Sequence, residues 1–278
     1  GSQRMAKKKA LIKTLISVET LGSVTLICTD KTGTLTQNKM EVKKIWTIER
    51  QGSGDESIEH RQPPLEKGGE GGLLQEGLLS SSNEWLMKIA YFCNNAKFIN
   101  GQYKGDPTEI ALLKAVRENI GDFNSERVSE IPFDSERKRM TTMNIIDGKT
   151  FAFTKGAMES VFPLCSHLMI NGNPVPIDEK FKKDVMDAYH SLMDMGLRVL
   201  SFAYREIEKP DVSEVSPDMI EKDLVLVGLM GFEDPPRTEV PEAIRKCHEA
   251  GIKIIMITGD GGRTALAIAR EIGLVNGN

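Results

Sequence analysis

No stretch of the 278 residues stays apolar for long enough to span a bilayer, which takes about 18 consecutive residues. The N-terminus has charges but no long apolar segment behind them, so a secretory leader is not expected. Cysteine is sparse and scattered, at Cys28, Cys93, Cys165 and Cys247. There is no C-x-x-C pair and no histidine cluster, which argues against a zinc site or a disulfide scaffold and for a reducing compartment. Positive charge does not dominate either: 36 basic residues face 40 acidic ones, a net charge of -4. That balance lacks the electrostatic footprint of a nucleic-acid binder, and no nucleic-acid partner is expected. No repeat with a period of 20–50 residues is present.

What is there is ordinary globular composition, 40% hydrophobic and 27% charged. The length suits two domains better than one core. Glycine and charge crowd residues 52–77, around Pro63 and Pro64, and predict a long loop. That loop is not a phosphate cradle, because neither G-x-G-x-x-G behind a strand nor a G-K-[ST] ending occurs.

The chain is organised around residues 24–36, V-T-L-I-C-T-D-K-T-G-T-L-T. A short β-branched run stops at Asp30 and Lys31 and passes into hydroxyls and Gly33. The pattern predicts a buried strand that delivers a carboxylate to its C-terminal end, where open α/β sheets place ligands. The following polar turn can aim backbone N–H groups at a phosphate. Residues 252–260, I-K-I-I-M-I-T-G-D, repeat the design with Asp260. The simplest architecture sets both strands side by side in one parallel sheet, with everything between them inserted as a second domain. The crossings would lie at Asn38-Lys39-Met40 and at Asp234-Pro235-Pro236-Arg237, two short parallel connections that make a hinge.

Within the insert, helical spacing covers 83–94. Asp106-Pro107-Thr108-Glu109 opens a second helix through Val116, with Asp106 as N-cap, Pro107 in the first turn and Glu109 in capping-box register. Residues 139–146 and 150–155 read as a hairpin about Asp147-Gly148. Further elements are a helix over 178–194 ended by Gly196, strands over 197–203 and 224–231, and helices over 240–249 and 263–272. The 224–231 strand is apolar throughout and expected to be buried. The basic run from Arg4 to Lys13 fits a solvated helix face or the cytoplasmic end of a membrane stalk.

The string Asp30-Lys31-Thr32-Gly33-Thr34-Leu35-Thr36 resembles the phosphorylation motif of the P-type ATPases. Lys155-Gly156-Ala157, Asp234-Pro235-Pro236-Arg237, Thr258-Gly259-Asp260 with Thr264-Ala265, and the weaker Phe133, Arg137-Lys138, Asp106-to-Glu109 and Leu197-Arg198 follow in the family's order. Ser17 to Gly22 (S-V-E-T-L-G) adds a likeness to the type II, calcium-pump-like branch. The resemblance implies an α/β fold: a haloacid-dehalogenase-like parallel-sheet phosphorylation domain, here incomplete, split by an α+β nucleotide-binding domain on an antiparallel sheet. It implies domains over 1–39 with 234–278 and over 40–233.

It also implies roles. Asp30 would take the γ-phosphate of ATP as an aspartyl phosphate, beside Lys31, Thr32, Thr258, Gly259 and Asp260. The Asp30 carboxylate and Thr32 carbonyl would ligate Mg2+. Phe133 would stack on adenine; Glu109, Lys138, Lys155 and Gly156 would line the pocket; Arg198 and Arg237 would reach phosphate. The transported cation would be bound by membrane helices absent here, which also supply the tie to the cytoplasmic face of a membrane. The chain itself is expected to be monomeric.

Two departures qualify the likeness. The family's arginine two places after the stacking Phe is Ser135 here, with Arg137 two further on. The lysine and G-D-G-x-N-D element that follow T-G-D in the family are not in this sequence. The chain is therefore expected to be part of a pump that binds nucleotide and phosphorylates poorly by itself. The alternatives are a soluble phosphohydrolase of the same fold, which needs an acid where Thr32 stands, and a nucleotide-binding module without turnover.

Overall fold

The computed structural model describes residues 22–50, 58–61, 81–208 and 216–275. The basic run from Arg4 to Lys13, Ser17 to Leu21 and most of the 52–77 stretch lie outside the described residues. The described residues form two compact units, one within residues 1–38 with 235–278 and one within residues 39–234.

In the first unit, β1 (Leu26–Asp30) pairs in parallel with β13 (Lys253–Ile257), Asp30 opposite Ile257. The parallel pairing expected from the repeated design is present. Helices α6 (Val240–Glu249) and α7 (Gly262–Glu271) supply Val240, Ile244 and Ile268 to a small core with Leu35 and Ile272. Ile254 and Met256 pack against that core. The strands are not buried as expected: Leu26 is 47% and Ile257 57% exposed. β13 alternates, with Ile254 and Met256 against the core and Ile255 and Ile257 in solvent, as successive side chains point to opposite faces. In β1, by contrast, the neighbours Leu26 and Ile27 are both exposed.

The second unit is built on a nine-stranded, mostly antiparallel sheet. Its order is β10 (Asn173–Pro176), β9 (Cys165–Ile170), β2 (Glu41–Arg50), β12 (Leu224–Glu233), β11 (Arg198–Ile207), β8 (Lys149–Gly156), β7 (Arg139–Ile146), β6 (Glu126–Asp134). A further strand, β3 (Ile58–Arg61), pairs with β2 inside the stretch expected to be all loop. Helices α1 (Ser81–Phe92) and α2 (Pro107–Asn119) cover one face; Leu86, Phe92 and Leu112 meet Phe151, Phe153 and Phe202 there. Helix α4 (Glu179–Asp194) covers the other, where Phe181, Val185 and Leu192 meet Trp46, Leu226, Leu229 and Met158 of the short helix α3 (Met158–Val161). β12 contributes to both cores, which is why its sequence is a continuous apolar run.

Turn chemistry fixes the local register. Asp147 and Gly148 both take positive φ, 51° and 78°, and close the β7–β8 hairpin with Ile146 opposite Lys149. Asn100-Gly101 does the same between β4 (Lys97–Ile99) and β5 (Gln102–Lys104). Asn171-Gly172 joins β9 to β10, a hairpin absent from the sequence reading.

Candidate functional site

In the first unit, Asp30 ends β1 and the chain turns at once. Thr32 (φ -73°, ψ 123°) and Gly33 (φ 74°, ψ -11°) have the central dihedrals of a type II turn, which needs glycine second. The Thr36 N–H closes the loop on the Lys31 carbonyl at 3.2 Å, and the Thr36 hydroxyl accepts from the Gly33 N–H at 3.1 Å. The Lys31 ammonium is buried and meets Asp260 Oδ2 at 2.6 Å. Parallel pairing puts Thr258, Gly259 and Asp260 directly after the residue opposite Asp30, and the Asp260 N–H donates to Thr258 Oγ1 at 3.1 Å.

Arg237 donates from Nη2 to the Gly33 carbonyl at 2.7 Å, and its own N–H goes to the Leu35 carbonyl at 2.9 Å. Its guanidinium therefore buttresses the turn. Among the described residues no three His, Cys, Asp or Glu side chains converge as a metal cage. Asp30 and the Thr32 carbonyl are hard oxygen donors. Such a pair fits Mg2+, which is usually held by one or two carboxylates together with water and substrate phosphates.

In the second unit, three neighbouring strands set Lys155 in one row with Met140 and Phe202. Met140 of β7 lies opposite Lys155 of β8, and Lys155 opposite Phe202 of β11. Alternation makes Lys155 the continuation of the buried row Phe151–Phe153, so an ammonium ends an apolar stripe. Glu109 meets it: Lys155 Nζ donates to Oε1 at 2.7 Å, with the two side chains only 8% and 14% exposed. The carboxylate is delivered by the first turn of α2, where Asp106 Oδ1 caps the Thr108 and Glu109 N–H groups at 2.8 and 3.4 Å. The cap and Pro107 stand as expected. The capping-box role expected of Glu109 does not, because its carboxylate has turned to Lys155.

Cys93 sits fully buried beside this pair. Burial pushes its thiol to about 11, against the opposing pull of Lys155. Gly156 ends β8 at a close approach. A Cβ there would lie 2.5 Å from Arg139 Cβ and 2.6 Å from the Lys138 carbonyl oxygen. Phe133, on β6, is 61% exposed, so its ring is not core packing. Lys138 has φ 50° and pairs with Glu159 at 3.0 Å. Burial opposes ionisation of Glu159, but a backbone hydrogen bond and Lys138 outweigh it and hold the carboxyl below its usual range. Arg198 opens β11 and is exposed.

Arg137, two places beyond Ser135, turns its guanidinium to Glu221. Its Nη1 donates to both oxygens of Glu221 at 2.8 Å, and Nη2 to the Pro132 carbonyl at 2.8 Å. Glu221 escaped the sequence reading. Its only local signal is the cation run Arg137-Lys138-Arg139, which needs a counter-charge wherever it is buried.

A family model described as "P-type ATPase, cytoplasmic domain N" matches residues 82–239. The chain belongs to the P-type ATPases. Relatives match it nearly end to end. A "Calcium-transporting ATPase 1" of Bacillus cereus is 39% identical over 282 residues, 99% of this chain and 29% of the relative. A "Potassium-transporting ATPase alpha chain 2" of Homo sapiens is 38% identical over 303 residues, 100% of this chain and 28% of the relative. A "Calcium-transporting ATPase 1" of Lactococcus lactis is 38% identical over 283 residues, 99% of this chain and 30% of the relative. The chain thus spans under a third of the length of these P-type ATPases. Among its described residues no helix is long and apolar enough to cross a membrane.

Proposed function

We propose that this chain is the ATP-binding and phosphate-accepting part of a cation-transporting P-type ATPase, working on the cytoplasmic side of a membrane. The observation that carries the reading is the buried Lys155–Glu109 pair at the end of the Phe151–Phe153 row. A cation kept this dry, held by a capped helix start at the end of an apolar row in a unit that also exposes Phe133, suits a nucleotide better than it suits bulk solvent.

In this reading adenine stacks on the open face of Phe133, and Lys155 and Lys138 meet the phosphates. Glu109 fixes the ammonium of Lys155 in direction. The Asp30 carboxylate oxygen attacks the γ-phosphorus of ATP. The new O–P bond forms as the bond to the β-bridging oxygen breaks, and ADP leaves with the electron pair. Lys31, anchored on Asp260, offsets the charge gathering at the strand end. Thr32 stands where D-x-D phosphatases carry a second aspartate as their general acid; its hydroxyl cannot take the proton of an attacking water as a carboxylate there could, so the acyl phosphate persists. Mg2+, held by the Asp30 carboxylate and Thr32 carbonyl, would neutralise phosphate charge. Relatives named for calcium support a calcium-like pump, although others are named for potassium and for sodium with potassium.

The test is labelling of the whole pump with γ-labelled ATP and Mg2+. An acid-stable, hydroxylamine-sensitive label that disappears in Asp30→Asn supports the reading; equal labelling of Asp30→Asn removes it.

A further inference from the structure

One carboxylate, outside every motif of the chain, holds the whole turn that carries Phe133 and Lys138. The Glu221 side chain is 1% exposed. Its Oε1 accepts from Arg137 Nη1 and from Thr141 Oγ1, both at 2.8 Å. Its Oε2 accepts from Arg137 Nη1 and Arg139 Nε, again at 2.8 Å. From these groups the network spreads. Arg137 reaches the Pro132 carbonyl, next to Phe133. Arg139 Nη1 donates to Ser160 Oγ at 3.1 Å, whose hydroxyl donates to the Arg137 carbonyl. Thr141 shares a 2.9 Å hydrogen bond with Thr154, the neighbour of Lys155.

Glu221 is itself well anchored. The single turn α5 (Pro217–Ile220) brings it in, and its N–H bonds the Pro217 carbonyl at 2.7 Å. Ile220 is buried against Ile131, Met143 and Ala152. Arg205 Nη1 donates to the Met219 and Lys222 carbonyls at 3.2 and 3.4 Å.

The geometry of the turn needs such a hold. Lys138 takes a left-handed backbone, at φ 50°, which a residue with a Cβ keeps only where its surroundings over-determine it. Its carbonyl accepts from the Ala157 N–H at 3.0 Å and its N–H donates to the Asp134 carbonyl at 2.6 Å. Asp134 Oδ1 accepts from the Glu136 and Arg137 N–H groups at 3.0 and 2.8 Å. Both flanking arginines are drawn inward by Glu221, which leaves Lys138 as the cation turned out between them.

We propose that Glu221 is a positioning residue for the nucleotide site: by neutralising and clamping Arg137 and Arg139 it sets the 132–139 turn, and with it Phe133 and Lys138. The inference rests on the nucleotide reading above. Glu221 does not touch the nucleotide, so its effect is transmitted through the turn.

The variant to make is Glu221→Gln in the full chain, which keeps the shape and removes the charge. Without ligand, amide exchange at 136–138 should accelerate about tenfold or more while β11 and β12 amides stay at wild-type rates. With ATP as the probe, Glu221→Gln should raise Kd. That rise should largely vanish in a Phe133→Ala background but persist in a Lys155→Met background, since only residues acting through one element fail to add. If Glu221→Gln does not fold, Arg137→Gln, cut from the more exposed side of the network, must give the same pattern. Wild-type exchange rates at 136–138, or acceleration spread evenly over the sheet, overturns the clamp. A wild-type chain that does not bind ATP instead overturns the nucleotide reading and the purpose assigned to Glu221, even where the exchange pattern holds.

Discussion

Lys155 and Glu109 meet at 2.7 Å where the sheet's apolar row ends, and each is the other's compensation for losing water. Removing one partner strands the other. Lys155→Met is expected to lower the unfolding free energy by about 3–5 kcal/mol, the cost of a buried charge left without its partner. Lys155→Met with Glu109→Gln should be more stable than the two single losses summed. Urea unfolding checks this, with midpoints compared at unchanged slope. A loss of nucleotide binding in Lys155→Met therefore has to be read beside its stability.

Gly156 carries a steric prediction. A methyl group there meets Arg139 Cβ and the Lys138 carbonyl, both part of or fixed by backbone. Gly156→Ala should cost about 1–3 kcal/mol, as overpacking does, and shift the Lys138 turn. Thermal unfolding with amide spectra of 136–139 would show both effects together.

The thiols give a pH dependence. Burial raises Cys93 from 9.0 to about 11 and Cys165 from 9.0 to about 12. The folded state therefore keeps these protons after the unfolded state has released them. Their contribution is complete below pH 9 and falls as pH rises toward 11 and 12, by about 1.4 kcal/mol per pH unit for each thiol in that window. Stability measured from pH 8 to 11 should fall, and Cys93→Ala with Cys165→Ala should flatten the slope. In the same range the exposed Cys28 should react with a thiol reagent well before Cys93.

Much of this architecture is written locally. Asp106-Pro107 caps a helix, Asp147-Gly148 closes a hairpin, and the paired apolar strands ending in Asp30 and Asp260 announce a shared sheet. The β9–β10 hairpin also had its signal, Asn171-Gly172. Pro174 and Pro176 obscured it, because prolines argue against a strand unless that strand lies at an edge, as β10 does. What sequence could not yield was long-range. Glu221 reaches Arg137 and Arg139 across more than 80 positions, and Glu109 reaches Lys155 across 46. The solvent face of β13, with Ile255 and Ile257, has the same origin: apolar composition predicts burial, but the number of covering layers decides it.

Whether this chain binds ATP through Phe133 is the deciding question. Isothermal titration of the full chain with ATP should show saturable one-to-one binding. Phe133→Ala should weaken it by about 1–3 kcal/mol, the worth of one base stacked on an aromatic ring, or roughly 5- to 150-fold in Kd. Because that ring is exposed, the thermal midpoint should not move. Asp30→Asn should bind as wild type does. Unchanged affinity in Phe133→Ala, in a chain that otherwise saturates, would contradict the site.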